Sequence, residues 1–341
     1  MTALALSLSF VFGLLPMALY ALGVRAFDRY EKEPWRLLIG AFVWGAVVAA
    51  GGAFIINTTF EIGIFLLTNS ERAADFSGSV LVAPLVEETL KGLAVLAVFL
   101  RYRHEFDSVL DGILYASMAG FGFAATENVY YIFQKGYLES GLAGLAVVVA
   151  IRVILVAFQH AFYTSFTGIG LALARLSRNK LTAIAVALAG FAAAMFTHAL
   201  HNLFASVGSP LTCLVGSLFD WSGALGMIAL LGYLARREGR ILAHYLREEV
   251  DSGLLTETEY LAACSLSSRA AVRLRPLAPA ADDRSRARRL LDLCGELAFK
   301  KHQLTHHGEE RDNTARVADL RAQLAALTGR PVVQSGPDSS P

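Results

Sequence analysis

The chain has 341 residues, 55% hydrophobic and only 17% charged, with a mean hydropathy of +0.49. A soluble domain carries about 25% charged residues, so this composition excludes an ordinary soluble globular protein and points to an integral membrane protein. The net charge of +1 gives no footing for nucleic-acid binding, so the expected partner is the lipid bilayer.

Charge is unevenly placed. Residues 1–235 are apolar with sparse charges, and 236–341 are rich in Arg, Glu and Asp. The expected fold is an all-α polytopic membrane protein: a membrane domain over 1–235 and a cytoplasmic helical tail over 236–341. Cys213, Cys264 and Cys294 are too far apart for a metal pattern or a disulfide framework. The first apolar run has no basic n-region before it, so it reads as a retained span rather than a removed signal peptide.

Seven apolar segments are long enough to cross a bilayer, at 3–24, 37–60, 78–100, 109–134, 142–174, 181–206 and 211–235. The fifth is too long for one straight span, so it is tilted or begins as an interfacial helix before Arg152. Lys and Arg concentrate in alternate connections: Arg25, Arg29, Lys32 and Arg36; then Arg101 and Arg103; then Arg175, Arg178 and Lys180; then Arg236, Arg237 and Arg240. This bias predicts an outside N-terminus and a cytoplasmic C-terminus. In the tail, apolar residues at helical spacing predict a helix over 237–262 broken near Gly253, a linker over 265–283, a helical pair over 284–305 and 312–328, and disorder over 330–341.

The spans carry ionisable residues, which cost roughly 2.5 to 3.5 kcal/mol each at membrane depth and therefore mark function. The third has Glu87, Glu88 and Lys91. Glu87 and Lys91 share a helix face and can pair, while Glu88 points about 100° away. Pro84 just upstream can loosen the helix and free a carbonyl. The fourth has Asp111, a helix-cap candidate, and Glu127 with Asn128. The fifth has Arg152, placed to pair with Glu127 or Glu88, then Gln159, His160 and Thr164. In the sixth, His198, His201 and Asn202 share one face. Asp220 stands alone in the seventh, without an assigned role. From the span limits and directions, Glu87 and Glu88 lie about 15 Å below the outer surface, near the level of Glu127, His198 and His201. Carboxylates and imidazoles converging at one depth suit water activation: a buried Glu as general base, with His and Asn polarising a carbonyl. A zinc held by His and Glu is compatible with this donor set, although the H-E-x-x-H spacing is absent.

Together Glu87-Glu88-x-x-Lys91, Phe123-x-x-x-Glu127-Asn128, Arg152…His160 and His198-x-x-His201-Asn202, with Glu33-Pro34 after span one, resemble the PrsW family of intramembrane proteases over roughly 10–235. The resemblance implies Glu87 and Glu88 as water-activating carboxylates, with Glu127, His160, His198 and His201 completing the catalytic set. Lys91, Asn128, Arg152 and Asn202 support it. It further implies a single-span membrane-anchored substrate, typically an anti-sigma factor cut on the extracytoplasmic side. The family is often labelled a metalloprotease, and related enzymes are viewed as glutamate-dependent. The candidate metal is zinc, with His160, His198 and His201 as candidate ligands. The tail departs from the family pattern. Two other readings compete: a proton-coupled transporter, in which Glu and His form a relay, and a non-enzymatic membrane scaffold with the tail as docking module.

Overall fold

The computed structural model describes residues 1–265, 267–269, 271, 281–309 and 312–331. Every regular element among them is helical. In chain order come α1 (Thr2–Arg25), α2 (Trp35–Val43), α3 (Ala50–Thr68), α4 (Glu71–Ser77), α5 (Ala83–Arg101), α6 (Val109–Tyr130), α7 (Leu138–Val149), α8 (Gln159–Leu176), α9 (Lys180–Val207) and α10 (Pro210–Asp251). Helices Glu257–Cys264, Ala281–His307 and Asn313–Thr328 follow. Most of the expected linker and the stretch 332–341 lie outside the described residues.

Among the described residues, five helical stretches are long and apolar enough to cross a membrane: Thr2–Arg25, Trp35–Thr68, Val109–Leu176, Lys180–Val207 and Pro210–Asp251. This differs from the seven expected segments at two places. Helix α5 carries Glu87, Glu88, Lys91 and Arg101, too many charges to qualify on composition. The stretch Val109–Leu176 qualifies as one run, although its backbone is interrupted. Ser140 and Gly141 leave helical geometry, and Val156 closes a π-helical segment just before α8. The fifth expected segment is thus not one continuous tilted helix: a separate helix precedes Arg152, and α8 starts afresh at Gln159.

The chain divides into two compact units: residues 1–26 with 33–231, and residues 27–32 with 232–341. In the first, α6 is buried without interruption from Leu110 to Ala125, as an all-round apolar helix should be, and α1, α2, α5 and α8 pack around it. Gly120 permits one of these close approaches. A Cβ there would lie 2.7 Å from the carbonyl oxygen of His160, so a glycine is what lets α8 bring His160 against α6. The large side chains this unit exposes, such as Phe54, Leu66, Ile154 and Phe196, are apolar, as lipid contact requires. Asp111 closes a capping box at the start of α6. Its backbone N–H donates to Ser108 Oγ, and its carboxylate accepts from the Ser108 N–H at 2.7 Å.

Four π-helical segments interrupt the α-helices, at Trp44–Ala49, Gly78–Val82, Tyr131–Tyr137 and Ala150–Leu155. Such bulges recur at functional sites. The second runs straight into α5 at Pro84, which has no N–H for the preceding turn. The Ser79 carbonyl accepts instead from Asn202 Nδ2 of α9 at 2.8 Å.

The second unit has its own core of Leu242, Leu246, Leu293, Leu297, Phe299, Leu320 and Leu324. The short stretch after α1 belongs to it. Tyr30 is buried there, and its hydroxyl donates to the Cys264 carbonyl at 3.0 Å. Arg269, fully buried, donates to the carbonyls of Ala263 (2.7 Å), Arg29 (2.8 Å) and Leu291 (2.7 Å). Gly253, at φ +77, follows the end of α10.

Candidate active site

The ionisable side chains of the first unit gather from α5, α6, α8 and α9, together with Arg152 from the segment before α8. Glu88 is the hub. Its carboxylate is fully buried and accepts from Lys91 Nζ (2.5 Å), His198 Nδ1 (2.9 Å) and Thr164 Oγ1 (2.9 Å). Lys91 therefore pairs with Glu88 three residues back, and Glu87, the partner that i,i+4 spacing suggested, lies at 3.9 Å. Helix spacing allows either, and His198 and Thr164 converging on Glu88 fix the choice. Lys91 Nζ also reaches His160 Nδ1 at 3.2 Å and lies 4.4 Å from the centre of the Phe123 ring.

Glu87 is different. One oxygen accepts from Asn57 Nδ2 at 3.3 Å, and the other, Oε2, is buried with no hydrogen-bond partner. Buried carboxylate oxygens are ordinarily satisfied, so an orphan asks for an explanation such as an ion or a water. His198 Nε2 lies 3.8 Å from that oxygen.

His160 Nε2 donates to Glu127 Oε2 at 2.8 Å. The same carboxylate takes a short ion pair from Arg152, whose Nε donates to Asn128 Oδ1 at 3.0 Å. Of the two partners that the sequence offered Arg152, the structure selects Glu127. The rings of His160 and His198 meet edge to face, centres 5.3 Å apart.

One ligand atom each from Glu87, His160 and His198 falls within 4.8 Å of the others, and all three residues are buried. Two imidazoles and a carboxylate are a donor set suited to zinc with a position left open. The Glu88 carboxylate on His198 Nδ1 is the carboxylate–histidine support seen behind metal ligands. The donor types fit a divalent metal, with the Glu87 orphan oxygen as the observation that favours one, and a metal on His160 Nδ1 would replace the contact from Lys91 Nζ.

Two predicted residues are not brought into this cluster. His201 Nδ1 bonds Asp220 Oδ2 at 2.7 Å, and Asn202 is held by the Ser79 carbonyl. The candidate ligand set is thus Glu87, His160 and His198, with His201 directed to α10. Sequence reasoning left Asp220 unassigned and missed Tyr163 altogether. The Tyr163 hydroxyl donates to Asp220 Oδ1 at 2.6 Å, and its ring stacks on His198 with centres 5.1 Å apart. The sequence signal for Tyr163 was only its position three residues after His160.

Residues 33–233, more than half of the chain, match the family model described as "PrsW family intramembrane metalloprotease". The chain belongs to the PrsW family. Among curated proteins it is similar to "Protease PrsW" of Clostridioides difficile, 31% identical over 37% of this chain and 51% of that one. It also resembles "Protease PrsW" of Geobacillus kaustophilus, 29% identical over 45% and 60%, and of Bacillus subtilis, 27% identical over 45% and 62%. The chain thus spans between half and about three fifths of the length of these relatives. No solved structure matches it. The matched PrsW region contains every residue of the Glu/His cluster and stops short of the tail.

Proposed function

We propose that this chain is an intramembrane endopeptidase that hydrolyses peptide bonds of membrane-anchored proteins. One observation carries the reading: Glu87, His160 and His198, from three separate helices, meet in a buried cluster whose Glu87 Oε2 has no partner. Hydrolysis adds the oxygen of water to the scissile carbonyl carbon and breaks the C–N bond, with one water proton passing to the leaving amine. Glu87 Oε2 orients the water and takes that proton. Glu88 fixes the His198 ring with Nδ1–H bound, leaving Nε2 facing Glu87. Glu127 fixes His160 in the same way through Nε2–H, and Arg152 holds Glu127 in turn. Lys91 balances the charge of Glu88 next to both histidines. A metal held by Glu87, His160 and His198 would supply a more acidic water and a polarised carbonyl.

The substrate class is a single-span membrane protein, of which the anti-sigma factor implied by the family resemblance is one example. Seven crossings with the N-terminus outside follow from the loop charges and bring the cluster to the extracytoplasmic half of the bilayer. The test uses full-length protein in detergent with single-span reporter proteins. Cleavage is expected, and Glu87→Ala or His198→Ala is expected to abolish it. Undiminished cleavage by both variants removes the proposed site. Proton flux in liposomes without cleavage of any reporter replaces the protease reading with a transporter.

A further inference from the structure

The second unit carries an open groove of about 400 Å³, of which only Tyr233 falls within the family match, lined by Tyr233, Arg237, Arg240 and His244 of α10 and by His302 and His306 of helix Ala281–His307. Positions 233, 237, 240 and 244 fall on one face of α10, as 3.6 residues per turn requires. His302 and His306, one turn apart, close the other side, and Tyr245 stands between, its ring 5.4 Å from His302. Among the described residues no carboxylate lines the groove. Among the described residues neither the Arg237 nor the Arg240 guanidinium has a hydrogen bond or ion pair, whereas Arg247, Arg316, Arg321 and Arg330 of the same unit are all paired with glutamates. The three histidines do not make a metal site, because the one convergent set of metal-ligating groups among the described residues is Glu87, His160 and His198.

We infer that this groove binds a phosphate-bearing anion, and that its source is the headgroup of an anionic phospholipid. Two unpaired guanidiniums one turn apart offer fork-shaped donors that match phosphate oxygens, with the imidazoles of His302 and His306 opposite. The source follows from chain position. The apolar stretch of α10 ends at 235, so Arg237 and Arg240, with Arg236, are among the first cations beyond it, where headgroups lie. Tyr233 sits one turn earlier, at the end of that stretch, the place at which aromatic side chains anchor a helix to the interface. Basic pockets at such a level are where anionic headgroups bind. The site is independent of the proposed peptidase chemistry, since it shares no residue with it.

The experiment uses the full chain in a neutral detergent, titrated with dioctanoyl phosphatidylglycerol, dioctanoyl phosphatidylcholine and inorganic phosphate and followed by calorimetry. Saturable binding of the anionic lipid is expected, with phosphatidylcholine at least tenfold weaker. Arg237→Gln/Arg240→Gln is expected to weaken it by about ten- to thirtyfold, in line with removing two cations at a membrane surface. The charge-matched control Arg178→Gln/Lys180→Gln, at the entry to α9, should leave it unchanged. If the double variant does not fold, His306→Glu at the exposed rim is titrated instead, with the same expectation. Phosphate binding as tightly as the lipid keeps the anion site and makes the source soluble phosphate. Equal binding of both lipids, or equal affinity of wild type, variant and control, overturns the proposal.

Discussion

Replacing Glu88 by Gln tests the charge logic of the buried cluster. The side chain keeps its shape and loses its charge. Lys91, fully buried, then loses its charged partner at 2.5 Å, and the one carboxylate it keeps is Glu87 at 3.9 Å. Removing one member of a buried ion pair costs about 3 to 5 kcal/mol, because the remaining charge stays desolvated. Glu87 can close part of that gap, so about 3 kcal/mol is expected. A cycle isolates the cause. In Glu88→Gln/Lys91→Met no charge is stranded, and most of the lost stability should return, a coupling of about 2 kcal/mol. The readout is denaturant or thermal unfolding of the detergent-solubilised protein. Cleavage provides a second axis: both the single and the double variant should be inactive, because His198 has lost the carboxylate that orients it. Coupling below about 0.5 kcal/mol, with both substitutions additive, would refute the view that Glu88 is there to neutralise Lys91.

Metal content should follow the geometry. Protein purified without chelator is expected to hold one zinc per chain, lost in His160→Ala and in His198→Ala but kept in His201→Ala, as read by elemental analysis. In the tail, burial pushes the Cys294 thiol up to about 12, so it should resist maleimide at pH 8 until the unit unfolds. The same raised value sets a pH dependence. Below the ordinary thiol value of 9.0 both states are protonated and the stabilisation is whole. From there toward 12 the unfolded chain ionises first, and the tail should lose stability with a slope of one proton. Arg269→Met leaves the Ala263, Arg29 and Leu291 carbonyls without their donor, and at about 1 to 3 kcal/mol for each buried group left unsatisfied the tail should become readily cleaved by added trypsin.

Much of the site was legible because ionisable residues in an apolar span are conspicuous one at a time. Glu87, Glu88, Glu127, His160 and His198 all stand out this way, and the structure brings them together. Their pairings were not legible. Lys91 is a helical neighbour of both glutamates, and only the arrival of His198 and Thr164 at Glu88 decides between them. His201 shares a face with His198, yet that face is wide enough for one ring to reach α5 and the other α10. The span count was blurred by the same residues that mark the site, since the charges that α5 brings to the cluster remove it from any apolar tally. The involvement of the stretch after α1 with the tail was hidden for another reason. Tyr30 and Cys264 lie 234 positions apart, beyond any local pattern.

Asp220 shows what distance in sequence conceals. Alone among apolar residues, an aspartate offers no clue to its partner. In the fold it accepts from Tyr163 and bonds His201, and Tyr163 lays its ring on His198. Tyr163 and Asp220 thus act on His198 by position rather than by touching a reacting atom. Tyr163→Phe keeps the stacked ring and drops a hydrogen bond worth about 1 kcal/mol, so cleavage should fall only modestly. Tyr163→Ala removes the support of the ring and should lower kcat much more than it changes KM. Asp220→Asn should resemble Tyr163→Phe. If Tyr163→Phe and Tyr163→Ala were equally impaired, the hydroxyl would be the operative group, and stacking on His198 would carry no function.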